Sequence, residues 1–213
     1  MKIGILGSGE VAKTLATGFL KHGHAVTLGS RTPDKLKDWA AGNTTGKTGT
    51  FAEAAAFADL VVLAVKGGAA SEALRLAGEK NLAGKTVVDT CNPIEDAPPE
   101  KGVLRFFTDV NKSLMEQLQS EFKDAHLVKG FNSVGAAFMI DPQFKGGKPT
   151  MFICGNDDAA KKSVGGLLDE IGWETADMGG AEAARAIEPL CMLWCLPGFL
   201  RNEWTHAFKL LKM

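Results

Sequence analysis

Apolar positions along this chain fall into two alternating rhythms. Short runs with apolar centres, Lys2–Leu6, His24–Gly29, Asp59–Val65, Lys85–Asp89, Ala125–Lys129 and Pro149–Cys154, read as strands, and Asp59–Val65 is apolar at almost every position, as a parallel strand covered on both faces must be. Between them the spacing turns helical. Glu10–His22 reads as a helix closed by Gly23, and a Thr32-Pro33-Asp34 corner opens a short helix that runs out near Gly42. Ser71–Ala77, the amphipathic Asn111–Phe122, and Asp157–Ile171 ending at Gly172 complete the helices. Cys91–Pro99 reads as a proline-rich loop, and from Ala181 onward the chain reads as helical with a break at Pro197-Gly198.

Strands spaced by helices imply βαβ units with right-handed crossovers and a mainly parallel sheet. The expected fold class is therefore α/β, a Rossmann-type doubly wound sheet with a short C-terminal helical segment. Residues 1–178 are expected to form the nucleotide-binding domain, with 179–213 packed on it as the helical segment. A chain of 213 residues suits that division.

Composition removes several function classes. A net charge of −1 gives no reason to expect a nucleic acid or an anionic membrane as partner. No window approaches the ~20 apolar residues of a bilayer span; the longest apolar stretch, Pro189–Leu200, contains two prolines and a glycine. The N-terminus enters a strand directly, without the layout of a signal peptide. Cys91, Cys154, Cys191 and Cys195 are irregularly placed, which suits a reducing cytoplasm.

Other candidate residues receive structural readings. Cys191 and Cys195 share one helix face as a packed, reduced pair, and His22 and His24 end a helix and start a strand rather than bind metal. Glu182, Arg185 and Glu188, spaced by three, read as a charge ladder on a helix surface. Trp194, Phe199, Leu200 and Trp204 form an apolar stripe suited to core packing or a dimer seam.

The strongest chemical signal is Gly7-Ser8-Gly9-Glu10-Val11-Ala12, a G-x-G-x-x-A sequence that follows the first strand and opens the first helix. Gly7 suits the tight turn, Gly9 lets backbone approach a pyrophosphate, and Ala12 allows close helix–strand packing. The helix N-terminus offers free N–H groups and a positive dipole end. Past the second strand, where a site for NAD carries Asp or Glu, this chain has Ser30, Arg31 and, a turn later, Lys35. A hydroxyl, a guanidinium fork and an ammonium suit the 2′-phosphate of NADP(H).

These motifs, with Asn92-Pro93, Lys129-Gly130-Phe131-Asn132-Ser133 and Gly155-Asn156-Asp157-Asp158, resemble the F420-dependent NADP reductase family. The reductase domains of the six-transmembrane metalloreductases are similar too. The resemblance runs along nearly the whole chain. It implies a usually dimeric Rossmann protein in which NADP(H) lies across the strand C-termini and coenzyme F420 or a flavin stacks on the nicotinamide. By matching motif, Ser8, Gly9, Glu10, Val11, Ser30, Arg31 and Lys35 hold the adenosine end and the phosphates. Ala64, Val65, Lys66, Asn92 and Pro93 line the cofactor farther along. Asn132, Val134 and Ala136 border the nicotinamide and the second ring.

The chain contains no tyrosine, which excludes a Tyr-x-x-x-Lys proton donor. A reductase without an evident acid or base fits hydride transfer between stacked rings, with the proton supplied by solvent. A reductase of another small organic acceptor (an imine or a quinone) and a non-catalytic NADPH-binding redox sensor are the rival readings. Loss of a charged hydrogen-bond partner costs about 1.5–3 kcal/mol, so Arg31→Ala is expected to weaken NADPH roughly 10- to 150-fold and leave NADH nearly unchanged. Titration with both nucleotides checks this, and equal loss for both refutes the 2′-phosphate assignment.

Overall fold

The computed structural model describes Met1–Met213. In chain order its regular elements are β1 (Lys2–Leu6), α1 (Glu10–Lys21), β2 (Ala25–Gly29), α2 (Lys37–Gly42), β3 (Lys47–Gly49), α3 (Phe51–Phe57), β4 (Leu60–Leu63), α4 (Ala70–Ala77), α5 (Glu79–Leu82) and β5 (Thr86–Asp89). There follow α6 (Leu114–Glu121), β6 (His126–Lys129), β7 (Thr150–Gly155), α7 (Asp158–Glu170), β8 (Glu174–Asp177), α8 (Ala184–Ile187) and α9 (Leu190–Arg201). Short 3-10 turns precede several of the helices.

All eight strands form one sheet in the order β3-β2-β1-β4-β5-β6-β7-β8. The first six are parallel and follow the order 3-2-1-4-5-6 of a doubly wound dinucleotide fold. The chain then reverses: β7 pairs antiparallel to β6, and β8 runs parallel to β7. The sheet is therefore mainly parallel, as its alternating rhythm implies.

Alternation along each buried strand splits the core into two layers. Ile3, Ile5, Val62 and Val88 face one side, with Phe19 of α1 and Leu168 of α7. Leu6, Val61, Leu63 and Val87 face the other, with Ala54 of α3, Leu74 of α4 and Leu118 of α6. Both faces are covered, so these strands carry almost no polar positions.

Lys129, the last residue of β6, is the exception. Its side chain is fully buried, and three oxygens surround its ammonium: Asp89 Oδ2 at 2.6 Å and Glu188 Oε1 at 2.9 Å as ion pairs, and the Cys91 carbonyl, which accepts a hydrogen bond at 2.9 Å. Burial alone would lower its pKa, but the charges of Asp89 and Glu188 outweigh that and hold the ammonium above the usual lysine value. Glu188 does a second task. It accepts from the Leu114 and Met115 amides, both at 3.0 Å, at the first turn of α6. Ser113 caps the same turn in a reciprocal box with Glu116. The excess negative charge of the triad thus faces the positive end of a helix.

Several expectations require correction. Glu188 is no surface residue, since it pairs with Lys129 in the interior, and Arg185 turns instead to Glu116, whose carboxyl it holds down at about 2. α6 starts at Leu114, three residues later than its periodicity suggests, because Ser113 forms the cap. Pro197 does not break α9. The carbonyl deprived of a donor four residues earlier belongs to Leu193, whose side chain is 54% exposed, and solvent reaches that face. Gly198 instead makes room for Trp204, whose ring atoms would lie 2.3 Å from an added Cβ.

Beyond the left-handed cap Asn202 the chain is not helical. It folds back so that Trp194 and His206 exchange two hydrogen bonds of 2.9 Å. It then lies along β7, where the Phe208 carbonyl accepts from the Thr150 amide. The helical run Ala181–Arg201, 21 residues long with an 18-residue window of mean hydropathy 1.2, has the length and composition of a membrane span, contrary to the expectation from its sequence. Its buried Glu188 and the cover of Trp204 tie that run to the protein.

Removing one partner of a buried ion pair costs about 3–5 kcal/mol. Glu188→Ala is expected to lose about that much, since it also strands the Leu114 and Met115 amides, whereas Glu188→Gln keeps an acceptor and loses less. Urea unfolding measures both, and equal, small losses would show that this carboxylate does not hold the C-terminal segment.

Candidate active site

Parallel strands that leave the sheet at one edge place their exit loops side by side. The β1, β2, β4 and β5 exits bound one continuous cleft of about 1170 Å³. Gly7, Ser8, Gly9, Glu10, Val11, Ser30, Arg31, Lys35, Ala64, Val65, Lys66 and Asn92 all line it. Twelve of the residues chosen from sequence motifs therefore meet in one place. Pro93, Asn132, Val134 and Ala136 do not line it. Pro93 instead accepts at its carbonyl from the Phe107 amide, and Gly135, between Val134 and Ala136, packs against Trp194.

At the β1 exit the glycines behave as the motif requires. An added Cβ on Gly7 would sit 2.1 Å from the Ala64 carbonyl oxygen, so β1 and β4 can close on each other only with glycine there. Gly9 is the N-cap of α1 and has open space beside it. No side chain caps this helix, and its first internal bond runs from the Lys13 amide to the Gly9 carbonyl at 3.1 Å. The amides of Glu10, Val11 and Ala12 are thus left facing outward, a cradle that fits a pyrophosphate.

At the β2 exit, Ser30 is buried and its Oγ accepts from the Thr32 amide at 3.1 Å, fixing the turn that presents Arg31. The Arg31 guanidinium stands 3.5 Å from Glu72 on α4, across the cleft. Both side chains are more than half exposed, and an ion pair so solvated is worth little. A doubly charged phosphate can displace the carboxylate at small cost.

The opposite end has another character. The Cys91 amide donates to Asp89 Oδ1 at 2.9 Å, while its thiol is pushed well above the usual value by burial and then by the Asp89 charge. A buried thiol in that environment is a poor nucleophile. Asn92 spends both ends of its amide on Asn132: its Nδ2 donates to the Asn132 carbonyl at 2.8 Å, and its Oδ1 accepts from Asn132 Nδ2 at 3.2 Å. Asn132 Nδ2 also donates to the Ile187 carbonyl at 2.9 Å. The turn that brings Asn132 there passes through Phe131, buried and left-handed at φ 60, a conformation that bulky residues rarely hold.

Above this end hangs an irregular hairpin. Ile94 bridges Phe106 and the Glu95 amide donates to the Arg105 carbonyl, which brings Ile94, Glu95, Asp96, Ala97 and Phe107 to the rim. Asp96 meets Lys66 at 3.1 Å across the gap. None of these rim residues on the hairpin carries a motif. Gly67-Gly68 and Glu72 are also at the cleft and also unforeseen; the glycine pair, shortly after an apolar strand, was a legible signal, and Glu72 carried none.

Comparison with known proteins agrees with this geometry. The family model described as NADP oxidoreductase coenzyme F420-dependent matches residues 2–93. The solved structure of a candidate F420-dependent NADP-reductase from Arthrobacter sp. FB24 is 34% identical, with each chain covered fully at a TM-score of 0.93. The F420-dependent NADP reductase of Methanocaldococcus jannaschii is 29% identical over 91% of this chain and 90% of its own length. Metalloreductase STEAP3 of Rattus norvegicus is 32% identical over 93% of this chain, which spans only 39% of that longer protein.

The open space at Gly9 supplies a test of the cradle. Gly9→Val is expected to cost no more than about 1–2 kcal/mol of stability, because nothing stands within 4 Å of an added Cβ and the loss comes from valine being a poorer N-cap than glycine. It is expected to weaken dinucleotide binding at least about tenfold by occupying the approach to the α1 amides. Chemical unfolding and calorimetric titration read the two effects, and unimpaired binding would place the phosphates elsewhere.

Proposed function

This chain belongs to the coenzyme F420-dependent NADP oxidoreductase family and is an NADP-dependent oxidoreductase, from which we propose that it passes hydride between NADP(H) and a flavin or deazaflavin ring such as coenzyme F420. The observation that carries this reading is the chemical division of the cleft. Cations and helix amides gather at one end, while the other offers apolar and amide-locked surfaces with no free acid or base on its floor. NADPH, when bound, supplies the hydride; the residues of this chain supply place and dryness.

Arg31 and Lys35 would take the 2′-phosphate, and Ser8, Gly9, Glu10 and Val11 the pyrophosphate. With the phosphates held at β1 and the adenosine at β2, the other half of the dinucleotide extends toward the β4 and β5 exits, past Ala64, Val65, Lys66 and Asn92. Val65, Ile94 and Phe107 would border the second ring there and exclude water from the transfer path. The volume of about 1170 Å³ lies at the upper end of ligand clefts and suits a ligand as long as a dinucleotide. Asn132, Val134 and Ala136 would act from behind this floor, through Asn92, rather than on the rings. The exposed Leu193, Phe199 and Leu200 of α9 are the face we assign to a homodimer seam.

The test is NADPH oxidation with F420, riboflavin, FMN, FAD, quinones, cyclic imines and ferric chelates offered in turn. Turnover is expected with the tricyclic ring acceptors at rates well above the rest. Turnover confined to an imine or a quinone would replace the ring acceptor with that class. Tight NADPH binding without turnover on any acceptor would make the protein a sensor.

A further inference from the structure

We propose that Lys129 is a positioning residue for the nicotinamide half of the dinucleotide, acting through the Cys91–Asn92 floor of the cleft; this rests on the NADP(H) reading. Lys129 does not itself line the cleft. Its Nζ donates to the Cys91 carbonyl at 2.9 Å, and the Asp89 that pairs with it at 2.6 Å accepts from the Cys91 amide at 2.9 Å. The first peptide groups beyond β5 are therefore gripped on both their donor and acceptor sides by one buried ion pair.

The next residue is held as firmly. Asn92 is locked by two hydrogen bonds to Asn132, which is tied in turn to the Ile187 carbonyl, adjacent to Glu188 of the same triad. Gly67 presses on this floor from the β4 side: an added Cβ there would lie 2.0 Å from the Asn92 carbonyl oxygen. The β5 and β6 exits and α8 so converge on a segment that has no freedom left before any ligand arrives. Pre-organisation of this kind places a reacting ring without an ordering cost on binding.

The grip is confined to one end. The adenosine half meets Ser30, Arg31, Lys35 and the α1 amides, none of which contacts the triad. Weakening the triad should therefore separate the two halves of the ligand, which loss of folding would not do. A general role in stability would lower affinity for every ligand alike.

The experiment compares NADPH with 2′,5′-ADP, which carries the adenosine and the 2′-phosphate but no nicotinamide, on wild type, Lys129→Met and the charge-free triple variant D89N/K129M/E188Q. The triple variant retains an acceptor for the Cys91 amide and one for the Leu114 and Met115 amides, and buries no charge. It serves if the single variant does not fold. Binding of 2′,5′-ADP is expected to stay within about twofold of wild type, while the advantage of NADPH over the fragment falls roughly tenfold, as loss of one charged hydrogen bond dictates. The emission of bound dihydronicotinamide should also move toward that of free NADPH. Equal loss for both ligands, or loss for neither, would overturn the proposal.

Wild-type hydrogen exchange gives a reading that needs no variant. The Cys91 amide should exchange only with global unfolding in the ligand-free protein, and fast exchange there overturns the proposal as well. Wild type that binds 2′,5′-ADP but gains nothing from the nicotinamide sinks the positioning role and leaves the NADP(H) assignment standing. Binding of neither ligand removes both.

Discussion

One ammonium group buried away from water governs how the second half of this chain is assembled. Lys129 costs several kcal/mol to desolvate, and that cost is offset only if all three of its donors find acceptors at once. They come from β5, from the loop after β5 and from the residue that follows α8. The pairing brings two carboxylates to one ammonium, which would itself be unfavourable without further donors. The α6 amides on Glu188 and the Cys91 amide on Asp89 supply them. Four segments far apart in sequence thus satisfy one another, and none can shift register alone. Apolar burial between the same elements would hold them together but would tolerate sliding; directional charged bonds do not.

The cleft carries an electrostatic gradient that follows from strand order. Only α1 presents its uncapped N-terminus at the β1 exit, and the side-chain cations Arg31 and Lys35 lie one strand away at β2. Moving toward β5 no uncompensated cation lines the floor: Lys129 is paired with two carboxylates beneath it, and the solvated Lys66 stands beside Asp96 at the rim. A ligand with phosphates at one end and an uncharged ring at the other has a single favourable orientation in such a field. Arg31 remains free to respond because its standing partner Glu72 is well solvated and holds it weakly.

How much of this was legible in the sequence depended on where the physics was local. β1, the glycine loop and α1 were readable because a strand, a tight turn and a helix start each leave their mark on adjacent residues, and the Ser30-Arg31-Lys35 cluster because an absent acid is as visible as a present one. β3, α3 and β8 were not foreseen. β3 is Lys-Thr-Gly with no apolar position, β8 keeps only Ala176 buried, and α3 is a short helix that buries Phe51, Ala54 and Ala55, a stripe made faint by its alanines. Even so, Thr50 and Glu53 form a capping box that could have announced α3. Glu188 was misread because spacing of three along a helix describes a face, and only tertiary packing decides whether that face meets water. The extended tail after Asn202 was misread for the same reason: its course is set by Trp194 and Thr150, both distant in sequence.

The same division explains where chemical identity resides in this architecture. The half of the cleft that binds phosphates is built from backbone amides and a few charges, so its requirements are few and its motif is compact. The half that would receive the acceptor combines a rigid floor, whose groups are all committed to the protein, with the hairpin Ile94–Phe107, held by a handful of backbone bonds. A floor with no unspent acid, base or nucleophile cannot choose an acceptor by reacting with it. Selection must then come from the shape and polarity of the hairpin above, where Ile94 and Phe107 stand beside Glu95 and Asp96. Changes in those few side chains alter what fits against the nicotinamide without disturbing the triad, the glycine loop or the sheet. A dinucleotide scaffold of this kind can keep its hydride donor while its acceptor changes, and the hairpin is the element on which such change would fall.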